Sequence, residues 1–305
     1  MFRHHCRVSE LVLLVSFSLV ACKSGTPEAE SAPAPKPQRQ NANANPASAQ
    51  TSAAAITHAR EAIDTIAAGI KSGDSTATAA LFDHGTVALA GAAHEVDEPD
   101  LVKTLGRIGP HDVVMDVMVS QLVVGGNDDA TWLFADLAIT KRNQEPGEKP
   151  STATTSVHTT ELLSAAAGWK IVAAAFSESR PVGRLGGVFP MIETTSAGPL
   201  AALLVSPAKI VSALFTDPNV VVVTNEKEFA VGASAAKKLL ATWEKRNLSV
   251  NGSVREVRNA KWGVVQANVD WNEPGGKPYR FATQLIALPQ ADGSWAVVAV
   301  QFLAL

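Results

Sequence analysis

The sequence predicts an α+β body built twice over, carried behind a leader and a tether. Three observations predict it. Apolar spacing changes from a helical period to strict alternation in each half. Three short motifs recur in the same order at a nearly constant separation. The N-terminal residues lack the apolar surface a core requires.

The leader comes first. Arg3 and Arg7, with His4 and His5, precede an unbroken apolar and small stretch from Leu11 to Ala21. A helix needs about 20 residues to span a bilayer; this stretch has 11, so residues 1–21 read as a signal peptide. It ends Leu19-Val20-Ala21-Cys22, which resembles the lipobox of bacterial lipoproteins. The resemblance implies lipidation of Cys22, cleavage before it, and acyl chains that hold the protein in the membrane. With Lys23 rather than Asp after the cysteine, it further implies the outer membrane, facing the periplasm. Several acyl chains anchor firmly because each buried methylene contributes about 0.8 kcal/mol.

Residues 22–53 are rich in Ala, Pro, Ser, Asn and Gln, with Pro33-Ala34-Pro35-Lys36-Pro37 and Asn41-Ala42-Asn43-Ala44-Asn45 as low-complexity runs. Such a segment reads as a disordered spacer. Cys6 and Cys22 are the two cysteines, so the mature body is expected to have no disulfide, no thiol chemistry and no Cys-ligated zinc. Formal net charge is -3, and the leader contributes a net +1 through Arg3, Arg7 and Glu10, which leaves the mature chain near -4. The charges are scattered, so a nucleic-acid partner is not expected.

The body begins near Ala54. Ile56, Ile63, Ile66 and Ile70 share one side of a helix that Gly73 ends. Asp74 caps a second short helix expected to run to Phe82, and a third is expected from Asp97, with Pro99 in its first turn. Strands follow at Val113–Val124, Thr131–Thr140, Thr154–Leu163 and Trp169–Ser177. After the glycines between Pro181 and Gly187 the order repeats. Leu200–Leu204 and Ala208–Phe215 are expected to be helical, with Ser206-Pro207 as cap and first turn. A short strand is expected at Val220–Val223 and a helix from Ala235 to Arg246. Four strands close the chain: Leu248–Val257, Trp262–Trp271, Tyr279–Leu288 and Trp295–Leu303.

The motifs support duplication into residues 54–180 and 190–305. Ala130-Thr131-Trp132 matches Ala260-Lys261-Trp262 at an offset of 130, Glu145–Pro150 matches Glu273–Pro278 at 128, and Trp169–Phe176 matches Trp295–Phe302 at 126. A period this long is that of a whole domain, not of a solenoid repeat.

Gly168-Trp169-Lys170-Ile171-Val172-Ala173 and Asp292-Gly293-Ser294-Trp295-Ala296-Val297-Val298, each followed by an aromatic (Phe176, Phe302), resemble the terminal strand of NTF2-like proteins of the SnoaL-like kind. Thr159-Thr160-Glu161-Leu162-Leu163 is similar to that family's penultimate strand. The resemblance implies two tandem cones, each a curved antiparallel sheet wrapped around helices. It implies ketosteroid isomerase-like enzymes or non-catalytic binding modules as relatives, and pairing through the outer face of the sheet. Each final strand is apolar on both faces: Trp295, Val297 and Ala299 on one, Ala296, Val298, Val300 and Phe302 on the other. Such a strand is covered on both sides. Helices are expected on one side and the sister sheet on the other, giving a monomer with an internal pseudo-dimer.

An isomerase of that kind needs a positioned acid or base and a donor for the developing oxyanion. Asp136 and His158, on neighbouring strands, are the candidates in the first half, with His94 and His111 in loops. Trp132, Phe134 and Asp136 share one strand face, so Trp132 and Phe134 are candidates for lining a ligand pocket. The opposing expectation is that Asp136 lies outside the cone and does no chemistry. In the second half Gln266, Asn268 and Asp270 alternate with Val265, Ala267, Val269 and Trp271, the pattern of a sheet with one wet face. No metal-site spacing or phosphate loop is present, and no cofactor is expected. The leading expectation is therefore a membrane-tethered, non-catalytic protein that binds a small apolar ligand or an envelope protein. The alternative is an isomerase or hydrolyase using Asp136.

Overall fold

Two six-stranded sheets with the same strand order make up the computed structural model, which describes residues 51–74, 76–90, 94–95, 112–178, 198–225, 228–243, 247–272 and 279–304. Cys22, the leader, most of the tether, the helix expected from Asp97, His111 and the glycines after Pro181 lie outside these residues. The first sheet comprises β1 (Phe82–Ala90), β2 (His94–Glu95), β3 (Asp112–Gly126), β4 (Ala130–Asn143), β5 (Ser151–Ser164) and β6 (Lys170–Glu178). The second comprises β7 (Val221–Asn225), β8 (Glu228–Val231), β9 (Asn247–Arg258), β10 (Gly263–Asn272), β11 (Tyr279–Pro289) and β12 (Trp295–Ala304). Their orders are β2-β1-β6-β5-β4-β3 and β8-β7-β12-β11-β10-β9. In each, the first strand runs parallel to the last and the other pairings are antiparallel. Long sheets with a few helices make this an α+β protein.

Helix α1 (Ala53–Ser72) forms where the isoleucine stripe predicts it. Ser52 Oγ accepts from the Ala55 amide at one end, and Gly73, at φ 72°, closes the other by donating to Gly69 O. The stripe of Ala59, Ile63, Ile66 and Ile70 packs on Leu133, Ala135, Leu137 and Ile139 of β4 and on Phe176 of β6. Helix α2 (Thr76–Ala79) is shorter than expected. Phe82 begins a strand instead: it is buried and pairs with Ile171, and the Ile171 amide donates to Leu81 O. A tertiary ladder thus overrides the local helical signal. In the second half, Ser206 caps α3 (Pro207–Ala213) with Pro207 in its first turn, and α4 (Ala233–Ala241) buries Ala236 and Leu240.

The final strands carry one departure from alternation, in the same place in both sheets. Leu162 and Leu163 pair with Ala173 and Ile171, and Ile286 and Ala287 pair with Ala299 and Val297. Val172 and Val298 are therefore extra residues, β-bulges that change the phase of the strand. This corrects the faces expected for the last strand. Val297, Val300 and Phe302 face the helices together, while Val298 and Ala299 both face outward.

The ladders also establish which residues correspond between the halves. The final strands match at an offset of 126, as the Trp-led motif predicts, but β5 and β11 match at 124 and β4 and β10 at 132. Trp132 thus corresponds to Val264, and Trp262 to Ala130. The match of Trp132 with Trp262 is two residues out of register.

The outward faces of the two sheets pack on each other. Trp132, Leu162 and Ala173 of the first form one apolar cluster with Trp262, Val264, Ile286, Leu288, Val298 and Ala299 of the second. Buried hydrogen bonds cross the same seam. Thr160 Oγ1 donates to Gln301 Oε1 (2.7 Å), Gln301 Nε2 donates to His158 O (3.0 Å) and Ser177 Oγ (2.9 Å), and Gln284 Nε2 donates to Thr160 O (3.1 Å). The face of β10 that alternation marks as wet is thus largely dry: Gln266 and Asn268 are buried. Both sheets lie in one compact unit, Ala44–Leu305. No helix among the described residues is long and apolar enough to cross a membrane.

Candidate functional site

Strand β4 points Trp132, Phe134 and Asp136 outward, toward the second half, and not toward α1. The helix-facing positions belong to Leu133, Ala135, Leu137 and Ile139. Asp136 pairs in register with His158 on β5, and the two side chains meet at 3.5 Å between Oδ1 and Nε2. The other oxygen, Oδ2, accepts from the Ser120 hydroxyl at 2.5 Å. Ser120 sits at an irregularity between Val119 and Gln121 in the β3–β4 register. The order serine–aspartate–histidine puts the carboxylate, not the imidazole, on the hydroxyl, which differs from the serine–histidine–aspartate relay.

His158 is 3% exposed. Its ring lies 5.8 Å from Phe134 of its own sheet and 5.6 Å from Phe229 of the other, and those two rings are 4.9 Å apart. Burial lowers its pKa, and the nearby Asp136 carboxylate offsets this only in part. Its Nδ1 has no hydrogen-bond partner among the described residues. Phe134 is wholly buried in the seam. Trp132 donates its indole N–H to Asn219 O at 3.0 Å and lines a cleft of about 280 Å³ between the halves, with Phe215, Asp217, Asp129 and Lys261. His94 lies in the short strand β2 rather than in a loop. Among the described residues no three His, Cys, Asp or Glu side chains converge as a metal site.

The helix-covered interior of the first half holds a group that sequence reasoning passed over. Along β5, Val157, Thr159, Glu161 and Leu163 point toward α1, while His158, Thr160 and Leu162 point to the seam. Glu161 is fully buried, between Leu133 and Ala174 on the adjoining strands. Thr159 Oγ1 donates to its Oε1 at 3.1 Å, and Oε2 has no partner among the described residues. Burial raises its pKa to about 8, against a smaller lowering by the Thr159 hydrogen bond. At neutral pH this carboxyl is predominantly protonated, so it can both donate and accept. The signal was present in the sequence: Glu161 falls in the phase of Val157 and Leu163, where a solvated strand would place its polar residues on the other phase.

The corresponding position in the second half is Leu285. There the interior is packed with rings. Trp243 stacks on Trp271 at 4.7 Å, and Phe281 and Phe302 complete the cluster. The first half has Ile139 and Val157 where the second has Trp271 and Phe281.

No family profile and no curated protein matches the sequence. Similar solved structures are of NTF2-like and ketosteroid isomerase-like proteins, at low identity and over part of the chain. A ketosteroid isomerase-like protein from Erwinia carotovora atroseptica is 16% identical, covering 41% of this chain and 96% of its own, with a TM-score of 0.32. An NTF2-like superfamily protein from Salmonella enterica is 12% identical, with 35% and 83% covered and a TM-score of 0.29. Nuclear transport factor 2 from Cryptosporidium parvum is 13% identical, with 32% and 77% covered and a TM-score of 0.28.

Proposed function

We propose that the protein is a lipid-anchored envelope protein, held through Cys22 at the periplasmic face of the outer membrane, whose first half binds a small apolar ligand without transforming it. The second half acts as a packed support. The observation that carries this reading is Glu161, a protonated carboxyl in an apolar interior with one oxygen unpartnered among the described residues. An unpartnered buried polar group is costly to keep, and a ligand bearing a hydrogen-bond acceptor would satisfy it. Binding is favoured over catalysis because Asp136, the acid or base of the isomerase reading, faces the seam. Among the described residues, the interior offers Glu161 no second ionisable partner.

The test is native mass spectrometry of the full protein extracted from its own membranes. A small molecule should accompany the wild type, be depleted at least about tenfold in Glu161→Leu, the cost of losing roughly one buried hydrogen bond, and be retained in part by Glu161→Gln. Equal ligand occupancy in wild type and Glu161→Leu would overturn the assignment. Cell fractionation of Cys22→Ala tests the anchor, and undiminished membrane retention would refute it.

A further inference from the structure

We infer that the seam between the two sheets is an acid-sensitive latch, in which protonation of His158 loosens the grip of the halves on each other. His158 holds the second half in two ways. Its ring packs against Phe229 of β8, and its backbone carbonyl accepts from Gln301 Nε2 of β12 at 3.0 Å. A displacement of this one residue therefore disturbs an apolar contact and a buried hydrogen bond across the same interface.

The neutral imidazole fits this place and the imidazolium does not. Protonation gives the ring two N–H donors. Nε2 faces Asp136 Oδ1 at 3.5 Å, beyond a good hydrogen bond, and Nδ1 has no hydrogen-bond partner among the described residues. Among the described groups packed around the ring, β4 presents Asp136 and Phe134. β3 presents Ser120 to Asp136, β6 presents Ser177, β12 presents Gln301, and β8 presents Phe229. The carboxylate of Glu228, next to Phe229, is engaged by Thr224 Oγ1 at 3.2 Å. Asp136 is thus the one charged group described as acting on the ring, and burial outweighs its attraction. A buried charge with incomplete hydrogen bonding is destabilising even beside a counter-ion.

The sign follows from linkage. The closed seam holds the proton on His158 less tightly than the open or unfolded chain, whose imidazole has the ordinary value near 6.5. The open form therefore binds more protons in acid, and the stability present above that value is lost as pH falls below it. In the second half, Ala282 occupies the corresponding position, so the device belongs to one side only.

The experiment measures hydrogen exchange of the full mature protein at about pH 7.5 and about pH 5, corrected for intrinsic exchange rates. Relative to His158→Asn, in which Glu161 titrates alike, the wild type should lose protection of β5, β11 and β12 on going from about pH 7.5 to about pH 5. Asp136→Asn should keep that relative loss. An identical pH response in the wild type and His158→Asn would overturn the latch. A second measurement needs no variant: the His158 ring resonance of the wild type should titrate below about 6.5, and titration at or above that value would overturn the inference.

Discussion

Position by position, the two halves keep the same ladder and differ in what hangs from it. The first carries Glu161, Asp136 and His158 where the second carries Leu285, Asn268 and Ala282. The second carries Trp271 and Phe281 where the first carries Ile139 and Val157. At these positions the first half has ionisable groups where the second does not, and the second has large rings in its interior where the first has smaller side chains. One strand ladder tolerates both solutions because its hydrogen bonds are made by the backbone. A side chain need only satisfy the face it points to.

Substitutions that exchange the two solutions test this contrast most sharply. The largest effect is expected inside the second half. Phe281→Ala should cost about 3–5 kcal/mol in urea unfolding, whereas Val157→Ala at the matching place should cost about 1.5–3 kcal/mol. Equal losses would show that the two interiors are packed alike. At the seam, Gln301→Ala removes the partner of Thr160, Ser177 and the His158 carbonyl. It should cost about 1–3 kcal/mol through the polar groups left unpaired.

Glu161→Leu makes the first half resemble the second and should stabilise the ligand-free protein by about 1 kcal/mol, by removing a buried unsatisfied oxygen. It should also change the pH profile. The proton on Glu161 is held more tightly in the fold, near 8, than in the unfolded chain, near 4.5. Its contribution is therefore fully present below about 4.5 and is lost as pH rises through about 8. Urea midpoints of the wild type should decline across that window relative to those of the variant. The smallest effect is expected at the rim. Lys261→Ala breaks a cross-seam pair with Asp129 at 2.7 Å, but both side chains are about half exposed. The loss should stay below about 1 kcal/mol and shrink further with salt.

The elements that rest on local chemistry were legible in the sequence. The isoleucine stripe and Gly73 delimit α1, Ser206-Pro207 starts α3, and alternation marks eight long strands. What rests on partners was not. Strands β1, β2 and β8 take shape through pairing, so Phe82 reads as the end of a helix until Ile171 lies beside it. The two-residue shift between Trp132 and Trp262 is invisible in the sequence for a related reason. A shift of two preserves the face in a period of two, and both indoles do lie at the seam. Of the site, Asp136 and His158 were correctly placed on neighbouring strands, but which face of β4 the helix would cover depends on packing. Glu161 belongs to a strand pattern whose alternation does not say which phase the helix covers.

The bulges at Val172 and Val298 give each terminal strand one residue more than its ladder requires. That surplus is slack in the sequence. Excision of Val172 would leave Ile171 opposite Leu163 and Ala173 opposite Leu162, the pairs already present, and every downstream side chain would keep its layer. Strand β5 has no such reserve, since it pairs with β4 without a break from Ser151 to Ser164. Excision of Thr160 would reverse one arm of β5 relative to the other. It would carry His158 into the interior or Glu161 out to the seam, so the strand that bears both ionisable groups lacks the slack that β6 has.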